Sequence, residues 1–489
     1  MARDYDVIII GSGPAGFSCA MQSSKFDKKV LVVESHEKYL GGTWINTGTV
    51  PSKALRETAK TILDFNTQFG DKDARKPYER FRMEDLLKYK DEILEKENRK
   101  VKNDLIKNQV DVARGFGRLL DRHTVEVETH IGTIQKYTAD FILICTGSSP
   151  EQPEQFEVDH DKILDYRSIL QITHIPKRLV IIGTGINALE YATIFSALGT
   201  RTTILNEQDD YLNFLDHEIK NHVDQSLERK DITILCGVEV EDVQFNPLRN
   251  TTEVCFHNKT GDTRRQVLET EHALFLGGMK PNTEGIGLEN IDLQLDDKGF
   301  VIVDDNYRTH TDNVYAAGDV TGFPRLASAS FTQGRLAACS MFDIPALNVP
   351  DQIPFGIYTI PEISYIGLTE KEAKDMGLNV TVGRAYFKNI AKADMINNDE
   401  GILKLVFSTD TLKLLGVHIM GEEACNLIHL GQAVMSYNGD IRYFIQHVMN
   451  YPTLGEAYRI AGFNGVNRVY KAGAKYKNIL QTGESSPPS

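Results

Sequence analysis

Two stretches of this chain repeat one pattern of apolar and polar positions. The first opens on Tyr5-Asp6-Val7-Ile8-Ile9-Ile10. The apolar, β-branched run from Val7 to Ile10 predicts a strand. Gly11-Ser12-Gly13-Pro14-Ala15-Gly16 follows, then a helix-like segment to about Phe26, then a second strand, Lys29-Val30-Leu31-Val32-Val33, ending at Glu34. The second copy opens on Arg178-Leu179-Val180-Ile181-Ile182 and continues with Gly183-Thr184-Gly185-Ile186-Asn187-Ala188. A helix through Leu198 and a strand Thr202-Thr203-Ile204-Leu205, ending at Asn206, complete it. Both copies read strand, glycine turn, helix, strand.

Elsewhere the patterning changes. From about Met83 to Gln109 the chain is rich in Lys, Glu and Leu, which predicts a solvated amphipathic helix. β-like segments follow from Asp111 to Thr129, then a strand from Ala139 to Thr146. Alternating strands and turns are expected from about Gln352 to Gly421, and helices from about Cys425 to Lys471. The polar end, Gln481 to Ser489, carries two prolines and predicts a disordered tail.

Charge and cysteine usage narrow the function classes. The formal net charge is −14, which argues against nucleic acid or an anionic membrane surface as the main partner. No stretch reaches 18 apolar residues, so no membrane span is expected. No secretory signal precedes the first strand, and a cytoplasmic location is the default expectation. The six cysteines, Cys19, Cys145, Cys236, Cys255, Cys339 and Cys425, are far apart. They support neither a zinc site nor a disulfide framework, and no metal is expected. Cys145 ends the apolar run Phe141-Ile142-Leu143-Ile144 and reads as a buried core thiol.

The glycine loops have a chemical rationale. In such a loop the first glycine allows the tight turn, the second lets a pyrophosphate approach the backbone, and the third lets the helix pack on the strand. The phosphates then meet the free N–H groups and positive dipole of the helix N-terminus. An acidic residue closing the second strand can bind the ribose hydroxyls. Gly11, Gly13, Gly16 and Glu34 meet all these conditions; Gly183, Gly185 and Ala188 meet those for the phosphates. Two such units imply two dinucleotides. Flavin with nicotinamide is the chemically sensible pair, since a flavin accepts a hydride from NAD(P)H.

Three further segments carry a family resemblance. Gly41-Gly42-Thr43-Trp44-Ile45-Asn46-Thr47-Gly48-Thr49-Val50-Pro51-Ser52-Lys53 resembles the active-site segment of the pyridine nucleotide-disulfide oxidoreductases, the family of dihydrolipoamide dehydrogenase and glutathione reductase. Thr311-Asp312-Asn313-Val314-Tyr315-Ala316-Ala317-Gly318-Asp319 resembles the second FAD motif, and Tyr451-Pro452-Thr453-Leu454-Gly455-Glu456 the C-terminal catalytic segment. The likeness runs from about residue 5 to residue 470. It is strongest to the soluble transhydrogenase branch, through the phrases Gly48 to Arg56, Gly356 to Glu362 and Asn450 to Thr453.

The resemblance implies roles. Gly11, Gly13, Gly16 and Glu34 would hold the ADP half of FAD. Gly42 and Thr43 would line its pyrophosphate, Thr146 and Gly147 would contact it, and Gly318 and Asp319 would lie near the ribityl chain. Gly183, Gly185, Ala188 and Asn206 would bind NAD(H) or NADP(H). Lys53 would lie beside the reactive flavin nitrogen, paired with Glu190 and stabilising the negative charge that reduction builds there. Tyr451 and Glu456 would complete the catalytic set.

The chain also departs from the family. Trp44 and Thr49 hold the positions of the redox cysteines, and neither can form a disulfide. Tyr451 replaces the acid/base histidine, and a phenol is a poor base at neutral pH. Disulfide, dithiol and mercuric substrates are therefore not expected. Asn206 removes a carboxylate that would repel NADP, yet Glu207, Gln208, Asp209 and Asp210 follow with no arginine among them. Met279 stands where the family often has an arginine, with Lys280 beside it. The site reads as permissive towards NAD and poorly equipped for NADP.

The expected fold is α/β: two Rossmann-like dinucleotide-binding domains and a C-terminal α+β dimerisation domain. The FAD domain would comprise 1–160 and 281–350, the NAD(P) domain 161–280, the dimerisation domain 351–470 and the tail 471–489. The expected activity is FAD-dependent hydride transfer between nicotinamide nucleotides in a homodimer. A diaphorase reducing a quinone or another small acceptor, and a catalytically silent binding homologue, are the alternatives.

Overall fold

A computed structural model describes residues 3–69, 77–183, 185–261, 263–346 and 352–471. The chain divides into two compact units. The first comprises the described residues of Met1–Leu55, Met83–Thr173 and Phe275–Val349; the second, those of Arg56–Arg82, His174–Leu274 and Pro350–Ser489. The predicted tail, Gln481 to Ser489, lies outside the described residues.

The first unit is built on a parallel sheet. Asp111–Arg114, Val30–Glu34, Tyr5–Ile10 and Ile134–Ile144 lie side by side in that order, all parallel. Val314–Ala316 adds to Ile134–Ile144, also parallel. Ile9 is level with Val32 on one side and Leu143 on the other. The strand alternation then sorts two cores. Val7, Ile9, Val30, Val32, Leu143 and Cys145 face one way, onto the helix Pro14–Ser24 and the C-terminal half of the helix Met83–Lys107. Ile8, Ile10, Leu31, Val33, Ile142 and Ile144 face the other way, onto the antiparallel strands Phe116–Asp121 and Thr124–Glu128. A strand covered on both faces has no polar side, which is why its sequence shows an unbroken apolar run.

The helix Met83–Lys107 is more than a solvated helix. Its Val101 and Leu105 are buried in the first of these cores, beside Ala20 and Cys19. Cys145 is buried, and burial pushes its thiol well above the ordinary cysteine range, as expected of an inert core residue.

The second unit repeats the motif. Ile232–Cys236, Arg201–Asn206 and Arg178–Ile182 lie in that order, all parallel, and the helix Ile186–Ala197 packs on them. Val238–Asn246, Thr251–Asn258 and Gln266–Thr270 form a separate antiparallel sheet. The C-terminal part is a five-stranded antiparallel sheet in the order Phe355–Ile357, Glu362–Gly367, Leu414–Gly421, Ile402–Ser408, Val380–Tyr386. The helices Ala424–Ser436 and Glu456–Lys471 pack on it around Phe387, Phe407, Phe444 and Tyr458. The whole is α/β as expected, with α+β at its C-terminal end. No described helix is long and apolar enough to cross a membrane.

Candidate dinucleotide sites

The three glycines of the first loop are held by three different constraints. Gly11 lies at φ +108°, and a Cβ there would come within 2.3 Å of the Cys145 carbonyl oxygen. A Cβ on Gly16 would come within 2.0 Å of the Gly11 carbonyl oxygen. Both glycines therefore answer to the protein's own packing. Gly13, the N-cap of the helix Pro14–Ser24, has an ordinary φ of −60°, and a Cβ there would meet nothing within 4 Å. Among the described residues its freedom from side-chain bulk serves no contact. Pro14 opens this helix where its missing N–H costs nothing.

Around this loop the predicted residues converge. Gly42 lies at φ +63°, and a Cβ on it would sit 3.0 Å from Gly13 Cα. Glu34 is buried and accepts from both the backbone N–H and the hydroxyl of Ser12, while its other oxygen accepts from His36 N at 2.8 Å. The carboxylate thus positions the loop. Thr43 begins the short helix Thr43–Asn46 and is exposed.

At the end of Ile134–Ile144 the chain turns through Thr146 and Gly147, the latter at φ +72° with no atom within 4 Å of a Cβ. Gly318 lies at φ +84°, and a Cβ there would sit 3.3 Å from the Ala15 methyl. Asp319 accepts from the Ser148 hydroxyl at 3.0 Å. Burial pushes its carboxyl above the ordinary aspartate value, against the Ser148 hydrogen bond and the charge of Arg325.

Three residues that the sequence did not single out hold these turns. Asn98 donates to Asn46 Oδ1 at 2.9 Å and accepts from Leu40 N at 3.1 Å, so the helix Met83–Lys107 clamps the Leu40–Asn46 loop. Asn282 donates to Thr146 O, accepts from the Thr146 hydroxyl through its own carbonyl and donates its N–H to Gly147 O. Gln333 accepts from Gly318 N at 2.8 Å. Each is an amide acting across a long sequence separation, so no local spacing marks it. Trp44 now has a structural role: it packs on Phe331 with ring centroids 4.7 Å apart and on Phe17 at 6.0 Å. Lys53 lies half-buried in the helix Thr49–Phe69.

In the second unit, Gly183 lies at φ +152° and Gly185 caps the helix Ile186–Ala197. A Cβ on Gly185 would again meet nothing within 4 Å, while Ala188 is buried. The open position thus recurs at the same place in both loops. Asn206 is buried; its amide donates to Asp210 O at 3.2 Å and Cys236 Sγ at 3.3 Å, and its Oδ1 accepts from Gln208 N. It shapes its own loop. Lys280 belongs to the first unit and pairs with Glu284 at 3.7 Å.

Glu190, on the same helix as Ala188, is buried and accepts from Tyr358 N at 2.9 Å, and Thr193 accepts from Ile360 N at 3.1 Å. The helix thereby fixes the segment 358–360. Burial pushes the Tyr358 phenol up to about 12, with the charges of Cys425, Glu362 and Glu190 adding to it. Lys53 and Glu190 belong to different units. Glu456 is buried at the head of the helix Glu456–Lys471 with Arg459 at 3.3 Å, whereas Tyr451 is 71% exposed.

Comparison with known proteins gives a consistent result. A family model described as pyridine nucleotide-disulphide oxidoreductase matches residues 5–334, and one described as the dimerisation domain of the same group matches residues 353–461. The soluble pyridine nucleotide transhydrogenase of Pseudomonas paraeruginosa (strain DSM 24068 / PA7) is 39% identical over 470 residues, covering 96% of this chain and 99% of the relative. That of Pseudomonas fluorescens (strain SBW25) is 38% identical with the same coverage. Among solved structures, the HOCl-induced flavoprotein disulfide reductase RclA from Escherichia coli superposes with a TM-score of 0.83 at 23% identity, covering 94% of this chain and 99% of that one. LpdA from Mycobacterium tuberculosis gives 0.84 at 23% identity, with the same coverage. At that identity the superpositions establish the fold.

Proposed function

Because the chain belongs to the pyridine nucleotide-disulphide oxidoreductase family, we propose that it is an FAD-dependent enzyme that passes hydride between nicotinamide nucleotides without a redox-active disulfide. FAD is assigned to residues 1–160 and 281–350, the nicotinamide nucleotide to 161–280, and dimerisation to 351–470. The observation that carries this reading is the contrast among the glycines. Gly11 and Gly16 are required by atoms of the chain, but Gly13 and Gly185 face no atom within 4 Å of a Cβ. Each of these two stands at the N-terminus of a helix that follows a parallel strand, where a pyrophosphate would contact the backbone.

The residues present fit FAD. Gly13 and Gly147 leave the backbone open to phosphate and flavin, Gly42 lets its turn approach Gly13, and Glu34 offers a carboxylate for a ribose. Bound there, the flavin would supply a two-electron acceptor for hydride. The chain's own part is to orient and to exclude. Asn98 and Asn282 hold the two turns that would touch the cofactor. Lys53 is assigned the cation of the hydride step, and Glu190 is assigned to the same step. With Trp44 and Thr49 in the cysteine positions, no thiolate lies on this segment to carry electrons further. Val448 and Tyr451, 100% and 71% exposed, both lie in the segment matched by the dimerisation model. The match to a dimerisation domain, with these large side chains exposed in it, supports a homodimer.

The test is stopped-flow mixing with NADH or NADPH, followed by NAD, NADP, a quinone and oxygen in turn. Transhydrogenation requires that flavin absorbance bleach with the first and recover with a second nicotinamide nucleotide. Recovery with quinone or oxygen alone would make the protein a diaphorase, and no bleaching at all would make it a silent homologue.

A further inference from the structure

The loop after Asn206 meets a cation that chain order hides. Gly237 N donates to Gln208 O at 2.9 Å, and Lys259 N donates to Gly237 O at 2.8 Å. These two bonds tie the end of the strand Thr251–Asn258 to the loop that follows Arg201–Asn206. Lys259 Nζ then meets Glu207 Oε1 at 2.8 Å, on the residue next to Asn206. The pair is at the surface: the Glu207 side chain is 69% exposed and that of Lys259 35%.

The other two carboxylates of the loop stand differently. Asp210 is paired with Lys220 at 3.1 Å, and Lys220 also has Asp224 at 3.5 Å. Asp209 lies against the turn at Gly237, where a Cβ would sit 3.0 Å from its Oδ1. Asn206 is buried with its amide engaged by its own loop. The ion pair beside Asn206 is therefore Glu207 with Lys259, and Asp209, also exposed, adds negative charge near Lys259.

We propose that the Glu207–Lys259 pair sets the choice between NAD and NADP. The inference rests on the reading of this loop as the adenosine-ribose end of a nicotinamide-nucleotide site. A ribose with a free 2′-hydroxyl leaves the ion pair intact. A 2′-phosphate brings up to two negative charges, competes with Glu207 for the lysine and leaves that carboxylate facing the phosphate. Lysine serves phosphate as a point charge, without the bidentate geometry of arginine. Lys259 therefore admits NADP, and Glu207 holds it at a disadvantage.

The experiment uses the full-length holoenzyme and two probes that differ only in the 2′-phosphate, ADP-ribose and 2′-phospho-ADP-ribose, titrated by calorimetry. Glu207→Gln should tighten the phosphorylated probe by about threefold to tenfold and leave the other within about twofold. Lys259→Met should weaken the phosphorylated probe by a similar factor, and Lys259→Arg should hold or tighten it. Both effects should shrink as salt rises, because the pair is exposed. An unchanged ratio of the two affinities in both Lys259→Met and Glu207→Gln overturns the inference while the site stands. Wild-type protein that binds neither probe overturns the nucleotide site itself.

Discussion

Gly13→Ala and Gly16→Ala add the same methyl group three residues apart in one loop, and the structure predicts opposite failures. At Gly16 the new Cβ would lie 2.0 Å from the Gly11 carbonyl oxygen and 3.1 Å from Ile9 Cγ2, well inside the 3.4 Å at which ordinary contact begins. Backbone blocks it on one side, so the helix Pro14–Ser24 must retreat from the turn. Overpacking of this kind costs about 1–3 kcal/mol, and the better helix propensity of alanine returns at most about 1 kcal/mol. In a compact unit the size of the first one, each kcal/mol lowers the melting temperature by roughly 2–4 °C. Gly16→Ala should therefore melt several degrees below wild type, with or without FAD. At Gly13 the methyl meets nothing, and φ of −60° suits alanine. FAD-stripped Gly13→Ala should melt within about 1–2 °C of wild type, since an N-cap alanine costs only some tenths of a kcal/mol more than glycine. Its FAD affinity should instead fall. Each charge-assisted hydrogen bond lost to a phosphate is worth about 1.5–3 kcal/mol, which is roughly tenfold to over a hundredfold in dissociation constant. Melting curves of stripped and loaded protein, with a fluorescence titration of FAD, separate the two effects. Gly13→Ala protein that binds FAD like wild type would refute the assignment of this loop.

Four further outcomes follow from the same geometry. Purified protein should be yellow, with about one FAD per chain, and should show no long-wavelength thiolate charge-transfer band at half reduction, because positions 44 and 49 carry no thiol; such a band would sink the disulfide-free reading. Lys53→Met and Glu190→Gln should slow bleaching of the flavin by NADH more than they raise the apparent binding constant, and Glu190→Gln should do so while keeping an acceptor for Tyr358 N; unchanged rates in both would remove these residues from the hydride step. Trp44→Ala should lower thermal stability by about 2–4 kcal/mol through lost packing on Phe17 and Phe331, and Trp44→Phe should recover most of it in a melting experiment. Burial holds the His418 imidazole below its ordinary value of 6.5 in the folded chain, with Lys404 opposing protonation and Asp216 favouring it. A depressed folded value means that the contribution is full above about pH 6.5 and is lost as pH falls, by up to about 1.4 kcal/mol per unit, so denaturation of His418→Gln should be flatter between pH 7 and 5 than that of wild type.

The two strand–turn–helix–strand units were legible because each of their signals is local. A strand covered on both faces writes itself as an apolar run, and the turn after it is marked by glycines; the predicted segments overlap the observed strands and helices throughout. The helix Thr49–Phe69 was not read as an element, since its first turn contains Pro51 and its sequence was absorbed by the motif ending at Lys53. Proline in a first helical turn is in fact compatible with a helix start. The antiparallel sheet from Val238 to Thr270 also went unread; its outer strands are polar and half-exposed, and the apolar run of its central strand is only Val254-Cys255-Phe256. Within the loops, the glycines were visible in sequence but the reason for each was not. That Gly16 meets Gly11 and that Gly13 meets nothing is decided by the crossing of a helix over its own turn. Asn98, Asn282 and Gln333 left no trace, because an amide that clamps a turn from far along the chain has no spacing to recognise.

The loop after Asn206 shows what such invisibility does to a functional argument. Taken in chain order, Glu207, Asp209 and Asp210 are three carboxylates with no cation near them, and a 2′-phosphate should be repelled by all three. In the fold, Asp210 has Lys220 and Glu207 has Lys259, so two of the three charges are already answered. The repulsion that sequence spacing suggests is therefore larger than the loop exerts, and its sign at any one point depends on which partner a lysine keeps. Exposed pairs are weak, typically under about 1 kcal/mol, and that is of the same order as the preference they would set. A discrimination of tenfold is about 1.4 kcal/mol, so a single surface lysine changing its carboxylate for a phosphate is large enough to shift it. Nucleotide choice in this chain is accordingly expected to respond to substitutions at the Glu207–Lys259 pair while the packed residues beneath it, Asn206 and Cys236, keep the loop in place.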